Sequence, residues 1–503
     1  MKKLLEIFTL LIFIINFSCS KDENKNNIQE QITIESSNLN ITISENPISG
    51  EIIGEIQATT NIGQVSYSLV SQSPNGAFSI NSENGDITVL DVTLFNYETY
   101  PEITGIIKLT NSDVSKEILI TITLTDVEIE IFNGSLFLSS QEELNHFGSQ
   151  NYKEIHGSLR IHDFQDSEFN MTNVDALNSI TLITGSLDIS GNKLLNNIDG
   201  LKGIKSIGNL YISSNDKLNN IDGLVGIENI DEDLYISGDN LININGLVNL
   251  NYLGGDLVLW FLPNLSDISL FPKFTEIKGS LRLINLPKLN NYDVFDQLSM
   301  VESNLTLSET NLSDLNVFKN LTYIGGGLGI GDNKKLINVN ALSKINQLGG
   351  LNISGNSILE NIDGLSNLTT LKGDLAISSN SILPNMNALN NLTSIGGFLY
   401  IYNTVFQNIN ALSNLQSVGG VIKIDSNSLL INLDGLNNLE TIVGITPESE
   451  YEDYHFSIQE NAILNDFCGL TKLFLNFPYN HYFIYGNSYN PTKEDLMNGI
   501  CTE

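Results

Sequence analysis

The stretch Leu351-Asn352-Ile353-Ser354-Gly355-Asn356, followed by Ile362-Asp363-Gly364-Leu365, decides how this chain folds. It alternates Leu-x-Ile as a strand, turns on Asn, and steps through Ile-x-Gly-Leu before a second Leu/Ile pair. The pattern recurs from about Gly157 to Leu473. Its first Leu, or a stand-in, falls at Leu159, Leu187, Leu210, Leu234, Leu257, Leu281, Leu305, Leu328, Leu351, Leu375, Leu399, Ile422 and Phe456. From Leu187 to Ile422 the spacing is 23 or 24 residues throughout. A unit that short cannot bury its own apolar face and must stack on its neighbours. The expected architecture is a solenoid, and solenoids offer extended surfaces for binding.

Within each strand, period-two alternation sends Leu187 and Ile189, or Leu375 and Ile377, into the core. Five residues past most anchors stands Asn, at 192, 215, 333, 356, 380, 427 and 461. Asn tolerates left-handed backbone and its amide bonds neighbouring main chain, so a stacked Asn column is expected to serve the fold. The Gly or Ala of each Ile-x-Gly/Ala-Leu step is expected where coils pack closely. Function should then lie where outward positions depart from the repeat. Most of those positions are small, as at Ser190, Ser213, Ser237, Ser308, Ser354 and Ser378. Two clusters differ. One joins Tyr211, Tyr235, Val258, Trp260, Arg282 and Ile284 on successive strands; the other is Phe398, Tyr400 and Tyr402 on one strand. The repeats of the first cluster also lose the Asn turn, reading Leu262-Pro263 and Leu286-Pro287. Aromatic side chains with a polar tip beside an Arg suit recognition of protein or carbohydrate, so these residues form the candidate ligand-binding face.

The chain has 503 residues, 41% of them hydrophobic and 16% charged, which excludes a disordered chain. Its 24 Lys plus Arg against 58 Asp plus Glu leave a formal charge of -34, which would repel a phosphate backbone and argues against nucleic acid as partner. Lys2 and Lys3 precede an apolar run, Leu10 to Ile15, too short to span a membrane. Cys19-Ser20-Lys21-Asp22-Glu23 resembles the lipobox and acidic export tag of gram-negative outer-membrane lipoproteins. That resemblance implies a signal peptide over 1–18, a lipidated Cys19 with a polar tether over 19–30, and a surface-exposed lipoprotein of the outer membrane. With Cys19 so assigned, Cys468 and Cys501 remain as a pair in an exported protein. A disulfide there would contribute about 3–4 kcal/mol in the chain-entropy picture. A metal site is the competing reading, although two thiols without neighbouring His make a poor zinc set.

Residues 31–128 have another texture, with alternating runs such as Ile32-Thr33-Ile34 and Ile118 to Leu124 separated by Asn, Gly, Ser and Pro. That spacing predicts an all-β sandwich. Glu45-Asn46 followed by Gly50, then Phe78-Ser79-Ile80 with Gly85-Asp86-Ile87, Asn96-Tyr97-Glu98 and Thr125-Asp126-Val127 together resemble a cadherin repeat. The resemblance implies calcium as the one cofactor, held by Glu45, Glu98, Asp126 and Glu128, since a hard cation takes six to eight oxygens. Asn96 replaces that motif's Asp, and Thr59-Thr60-Asn61 its mid-domain carboxylates, so a calcium-free spacer is the competing reading.

A strand at Leu136 to Leu138 and a capping box opening at Ser140 make 129–157 an N-terminal cap for the stack. The order Ser-Gln-Glu-Glu at 140–143, Phe147-Gly148 and Tyr152 to Ile161 resembles the start of bacterial receptor L-domain proteins, relatives of leucine-rich repeats. The tail from Asp466 to Cys501 resembles their C-terminal cap, with a helix expected near Pro491 carrying Glu494 and Asp495 in its first turn. The expected fold is thus mainly β: a cadherin-like β-sandwich, then a right-handed leucine-rich-type parallel β solenoid over 158–475 with terminal caps, the last at 476–503. An insertion between Ile442 and Phe456 carries Glu448, Glu450, Glu452 and Asp453, and is expected as a solvated acidic loop.

Catalytic signatures are missing. The sequence has no Gly-x-Ser-x-Gly elbow, phosphate loop or His-Glu-x-x-His, and its five histidines are scattered. Outward carboxylates such as Asp188 and Asp425 lie too many strands apart to act as a pair. The expectation is a non-enzyme whose solenoid face binds an extracellular protein or glycan, in adhesion or recognition. An accessory subunit of an outer-membrane transport or secretion complex, and a structural surface coat, are the alternative readings.

Overall fold

Alternating apolar residues over 31–127 pair into sheets, as the computed structural model describes for residues 31–97, 99–127, 130–163, 171–238, 240–269, 271–442, 456–475 and 482–503. The calls on Cys19, Glu98, Glu128 and the acidic insertion fall outside the described residues. The chain divides into two units, Met1–Glu128 and Ile129–Glu503. In the first, Leu39–Ser44, Val114–Thr125, Glu102–Asn111 and Ser66–Ser73 form a four-stranded sheet in that order, the first pair parallel and the others antiparallel. Ile52–Glu55, Asp86–Val89 and Phe78–Ile80 form a second sheet. Phe78, Phe95, Ile103, Ile107, Ile120 and Ile122 are buried in one core, which makes the unit a sandwich.

In the second unit the anchors define a 15-stranded parallel sheet that runs in chain order from Leu136–Leu138 to Phe483–Tyr485. Each anchor pairs with the next, as Leu351 does with Leu375 and Leu375 with Leu399, so all Leu and Ile columns stay in register and buried. After the Asn turn, each Ile-x-Gly/Ala-Leu step winds into a short 3-10 turn such as Asp222–Leu224. A Cβ on Gly223 would collide with the carbonyl of Ile198 one coil back, so the small residue there sets how closely coils approach. Two-residue strands such as Ser206–Ile207 then form narrower parallel ladders along the opposite edge.

The Asn column is a hydrogen-bonded ladder. The Asn356 Oδ1 accepts the backbone N–H of Asn333 at 3.0 Å and its Nδ2 at 3.2 Å, while Asn356 Nδ2 donates to the carbonyl of Ile330 at 2.9 Å. Each amide therefore staples its coil to the one before. Among the described residues the ladder runs in three pieces: Asp163 to Asn215, Thr310 to Asn380, and Thr404 through Asn427 and Asn461 to Asn487. Where Leu262 and Leu286 replace Asn, main chain takes over. The N–H groups of Phe261 and Leu262 donate to the carbonyls of Ile284 and Asn285 at 2.9 and 3.1 Å, and the next strands lengthen to Leu281–Leu286 and Leu305–Thr310.

At the N-terminal end, the helix Gln141–Gly148 is capped by Ser140, whose hydroxyl accepts from the Glu143 N–H at 3.2 Å. The reciprocal bond of the expected box shifts by one residue: the Glu143 carboxylate accepts from the N–H and hydroxyl of Ser139, both at 2.8 Å. At the other end Cys468 and Cys501 form a disulfide. The helix Lys493–Met497 opens on a capping box between Thr492 and Asp495. The sheet itself continues into the segment assigned to the C-terminal cap, because Phe483–Tyr485 pairs in parallel with Phe456–Gln459.

Candidate recognition surface

From Leu187–Ser190 to Ile422–Asp425, the second and fourth residues of each long-sheet strand form two outward rows. One row runs Tyr211, Tyr235, Val258, Arg282, Thr306, Gly329, Asn352, Ala376, Tyr400 and Lys423. The other carries Trp260, Ile284, Ser308, Gly331, Ser354, Ser378, Tyr402 and Asp425. The face therefore has an aromatic group at each end of a stretch of short side chains.

In the first group the rings form a chain. Tyr211 and Tyr235 lie 6.3 Å apart, and Tyr235 and Trp260 6.2 Å apart, both tilted. Trp260 is 47% exposed. Arg282 is held beside Asp256 at 3.6 Å. Val258 departs from its assignment as a contact residue: flanked in its row by Tyr235 and Arg282, it is only 8% exposed and belongs to the floor beneath them. Ile284 is half-buried next to Trp260.

Phe261, which sequence reasoning missed, sits beside Trp260 and is 44% exposed with φ +52°. The residue four past each anchor from Leu187 to Phe456 has positive φ, and the column reads Gly191, Ser214, Gly238, Phe261, Asn285, Glu309, Asp332, Gly355, Ser379, Asn403, Ser426 and Glu460. A bulky side chain in this region is a backbone outlier costing on the order of 1 kcal/mol. Phe261 thus meets both a backbone cost and an exposure cost that the core does not recover. Its signal was present in the sequence as the one large apolar residue in that column.

The second group is tighter. Tyr400 and Tyr402 stack at 5.7 Å with ring planes 7° apart, and burial raises the Tyr400 hydroxyl above its ordinary pKa. Phe398 is 48% exposed, its N–H donates to Asp374 Oδ1 at 2.7 Å, and its ring occupies the space that a Cβ on Gly420 would need. Asp425, opposite Tyr402, accepts from the Ser457 hydroxyl at 3.1 Å and the Gln459 N–H at 3.2 Å. Burial pushes its carboxyl above the usual range, against the lowering effect of those bonds and of Lys423.

Between the groups lies a groove. A cleft of about 610 Å³ is lined by Arg282, Thr306, Gly329, Asn352, Asp374 and Ala376, with a rim of glycines. A second of about 430 Å³ shares Asp374 and Ala376 and continues to Phe398, Tyr400, Lys423 and Asp425. From Arg282 to Lys423 the row takes six strand-to-strand steps, about 29 Å at ~4.8 Å each.

In the first unit, the Glu45 carboxylate accepts from the N–H of Tyr97 at 2.9 Å and of Val127 at 3.1 Å, so both oxygens tie down main chain. Asp126 is exposed. Among the described residues, no helix is long and apolar enough to cross a membrane.

The Receptor L domain family model matches residues 273–367 and 367–421, a span that holds most of the groove. No curated protein matches the chain. Solved structures of cadherins are among those similar to it. Extracellular cadherin domains 1–5 of protocadherin gamma B2 match at 15% identity and TM-score 0.17, over 19% of this chain and 20% of that one. The third cadherin domain of human protocadherin 7 matches at 17% identity and TM-score 0.17, over 22% and 94%. Mouse cadherin-23 EC22-24 matches at 22% identity and TM-score 0.17, over 22% and 38%. The chain thus spans about a fifth of the first protocadherin it resembles. Similarity to the Receptor L domain is confined to the solenoid, on the coils between Lys273 and Val421.

Proposed function

We propose that the protein is an extracellular recognition protein, anchored through a lipid on Cys19, whose solenoid face binds a protein or glycan partner. The observation that carries this reading is the pair Trp260 and Phe261. Both are exposed, the second in a left-handed conformation, at coils where the Asn ladder has lapsed. Large aromatic side chains held in water at a cost to stability gain that cost back when a partner covers them. The match of a Receptor L domain, which begins at Lys273 on the coils that follow, supports the reading, and the parallel sheet gives the face a rigid base.

The test uses the full mature chain on immobilised matrix proteins and glycans, with and without Tyr235→Ala plus Trp260→Ala. Binding by the native chain and its loss in a variant that unfolds at the same temperature is the expected result. Undiminished binding by the double variant would sink the assignment. Palmitate labelling of the expressed chain, lost in Cys19→Ser, tests the anchor.

A further inference from the structure

We propose that the groove between Arg282 and Asp425 is a binding site for an uncharged, linear oligosaccharide lying lengthwise across the strands. The proposal rests on the recognition reading above and names the ligand class of the same face. Two clefts that share Asp374 and Ala376 form one channel, open to solvent and much longer than a single sugar ring. Its floor repeats at the strand spacing of ~4.8 Å, close to the rise of an extended pyranose chain. The Thr306 hydroxyl, the Asn352 amide and the Asp374 carboxylate offer donors and acceptors along it.

A peptide fits less well. The strands under the groove are already paired on both sides, so no edge is free for an added strand. Between Arg282 and Asp374 the floor is mostly glycines with Asn304, Thr306 and Asn352, and not the large apolar side chains that anchor a protein hot spot. What stands at the end of the groove is instead a set of flat ring faces. Tyr400 and Tyr402 are stacked on each other, and the Phe398 ring lies against Gly420 while its backbone N–H donates to Asp374. Rings already fixed in place can cover the C–H face of a sugar at little further ordering cost.

Charge decides which sugars. The groove brings two cations, Arg282 and Lys423, against two carboxylates, Asp374 and Asp425. That balance, on a chain of net charge -34, gives no attraction for sulfated or sialylated chains.

The experiment screens the full chain against arrayed neutral β-glucan, mannan, xylan and chitin oligosaccharides of increasing length, beside heparin and sialylated glycans. Calorimetry with the neutral hit then compares native protein with Tyr400→Ala and with Ala376→Trp, which fills the floor from an outward position. We expect affinity to rise with chain length, and to fall about tenfold or more in each variant. Tyr252→Ala, an exposed ring on the narrow strand Tyr252–Leu253 that lines neither cleft, should leave it unchanged. Binding confined to polyanionic glycans, binding indifferent to Ala376→Trp, or no binding at all would overturn the proposal. A blank array with partner binding still lost in the Tyr235 and Trp260 variant removes the sugar and leaves the recognition reading standing. Partner binding that survives that variant removes the recognition reading itself.

Discussion

The coils of Asn333, Asn356 and Asn380 and the coils around Trp260 are written in the same repeat but organised differently. In the first set each buried amide staples one coil to the last, and the outward rows hold Gly329, Gly331, Asn352, Ser354, Ala376 and Ser378. In the second set the staple is gone, main chain pairs in its place, and the outward rows hold Tyr235, Trp260 and Arg282. The same change recurs at Thr404, where the ladder stops short of Asn380 on the strand that bears Tyr400 and Tyr402. Both aromatic groups therefore stand at breaks in the ladder. The smooth coils hold the stack together and make a floor; the broken coils carry the rings that bound it.

Substitutions can break that contrast. The largest effect is expected from Asn356→Ala. It strands the Asn333 N–H and amide and the Ile330 carbonyl in a buried site, at ~1–3 kcal/mol per group, so that stability should fall by about 3 kcal/mol or more in denaturant unfolding. A loss under a third of that would mean the ladder is ornamental. Thr404→Asn should do the reverse: it can accept from Asn380 and join two ladder pieces, adding about 1 kcal/mol and raising Tm.

Phe261→Asn separates fold from function. Asn285 and Asn403 hold the same column at φ +55° and +50°, so the replacement should gain roughly 0.5–1 kcal/mol while weakening partner binding. A variant that loses stability would show that Phe261 serves the coil after all. The smallest effect is expected at Asp425→Asn. Burial raises this carboxyl in the folded chain, so its charged form opposes folding above the folded pKa, and the penalty vanishes below the ordinary carboxylate value. The variant should melt higher than the native protein at neutral pH, with the gap closing as pH falls through the carboxylate range. A gap that is constant with pH would contradict this origin.

Much of this contrast could be read without coordinates. The loss of Asn at Leu262 and Leu286, and the rings at Trp260 and Tyr400, stand out because the other repeats supply the template. The break at Thr404 was equally visible in the Asn column and was passed over, since Thr looks like a mild substitution until its missing amide is followed along the ladder. Asp374 gave no signal: its carboxylate matters only because it receives the Phe398 N–H from the next coil. Val258 misled for a related reason, as an outward position can still be covered by larger neighbours in its row.

The sequence by itself determined the coil, its register and the direction of each strand residue. Those follow from period-two alternation and a repeat of 23 or 24 residues, which are local properties that each unit carries within itself. Tertiary structure decided the positive φ of Phe261, the covering of Val258, and the joining of two clefts through Asp374 and Ala376. Each of these depends on the volume and hydrogen bonds supplied by adjoining coils. Packing between units fixes them, and no single repeat encodes it.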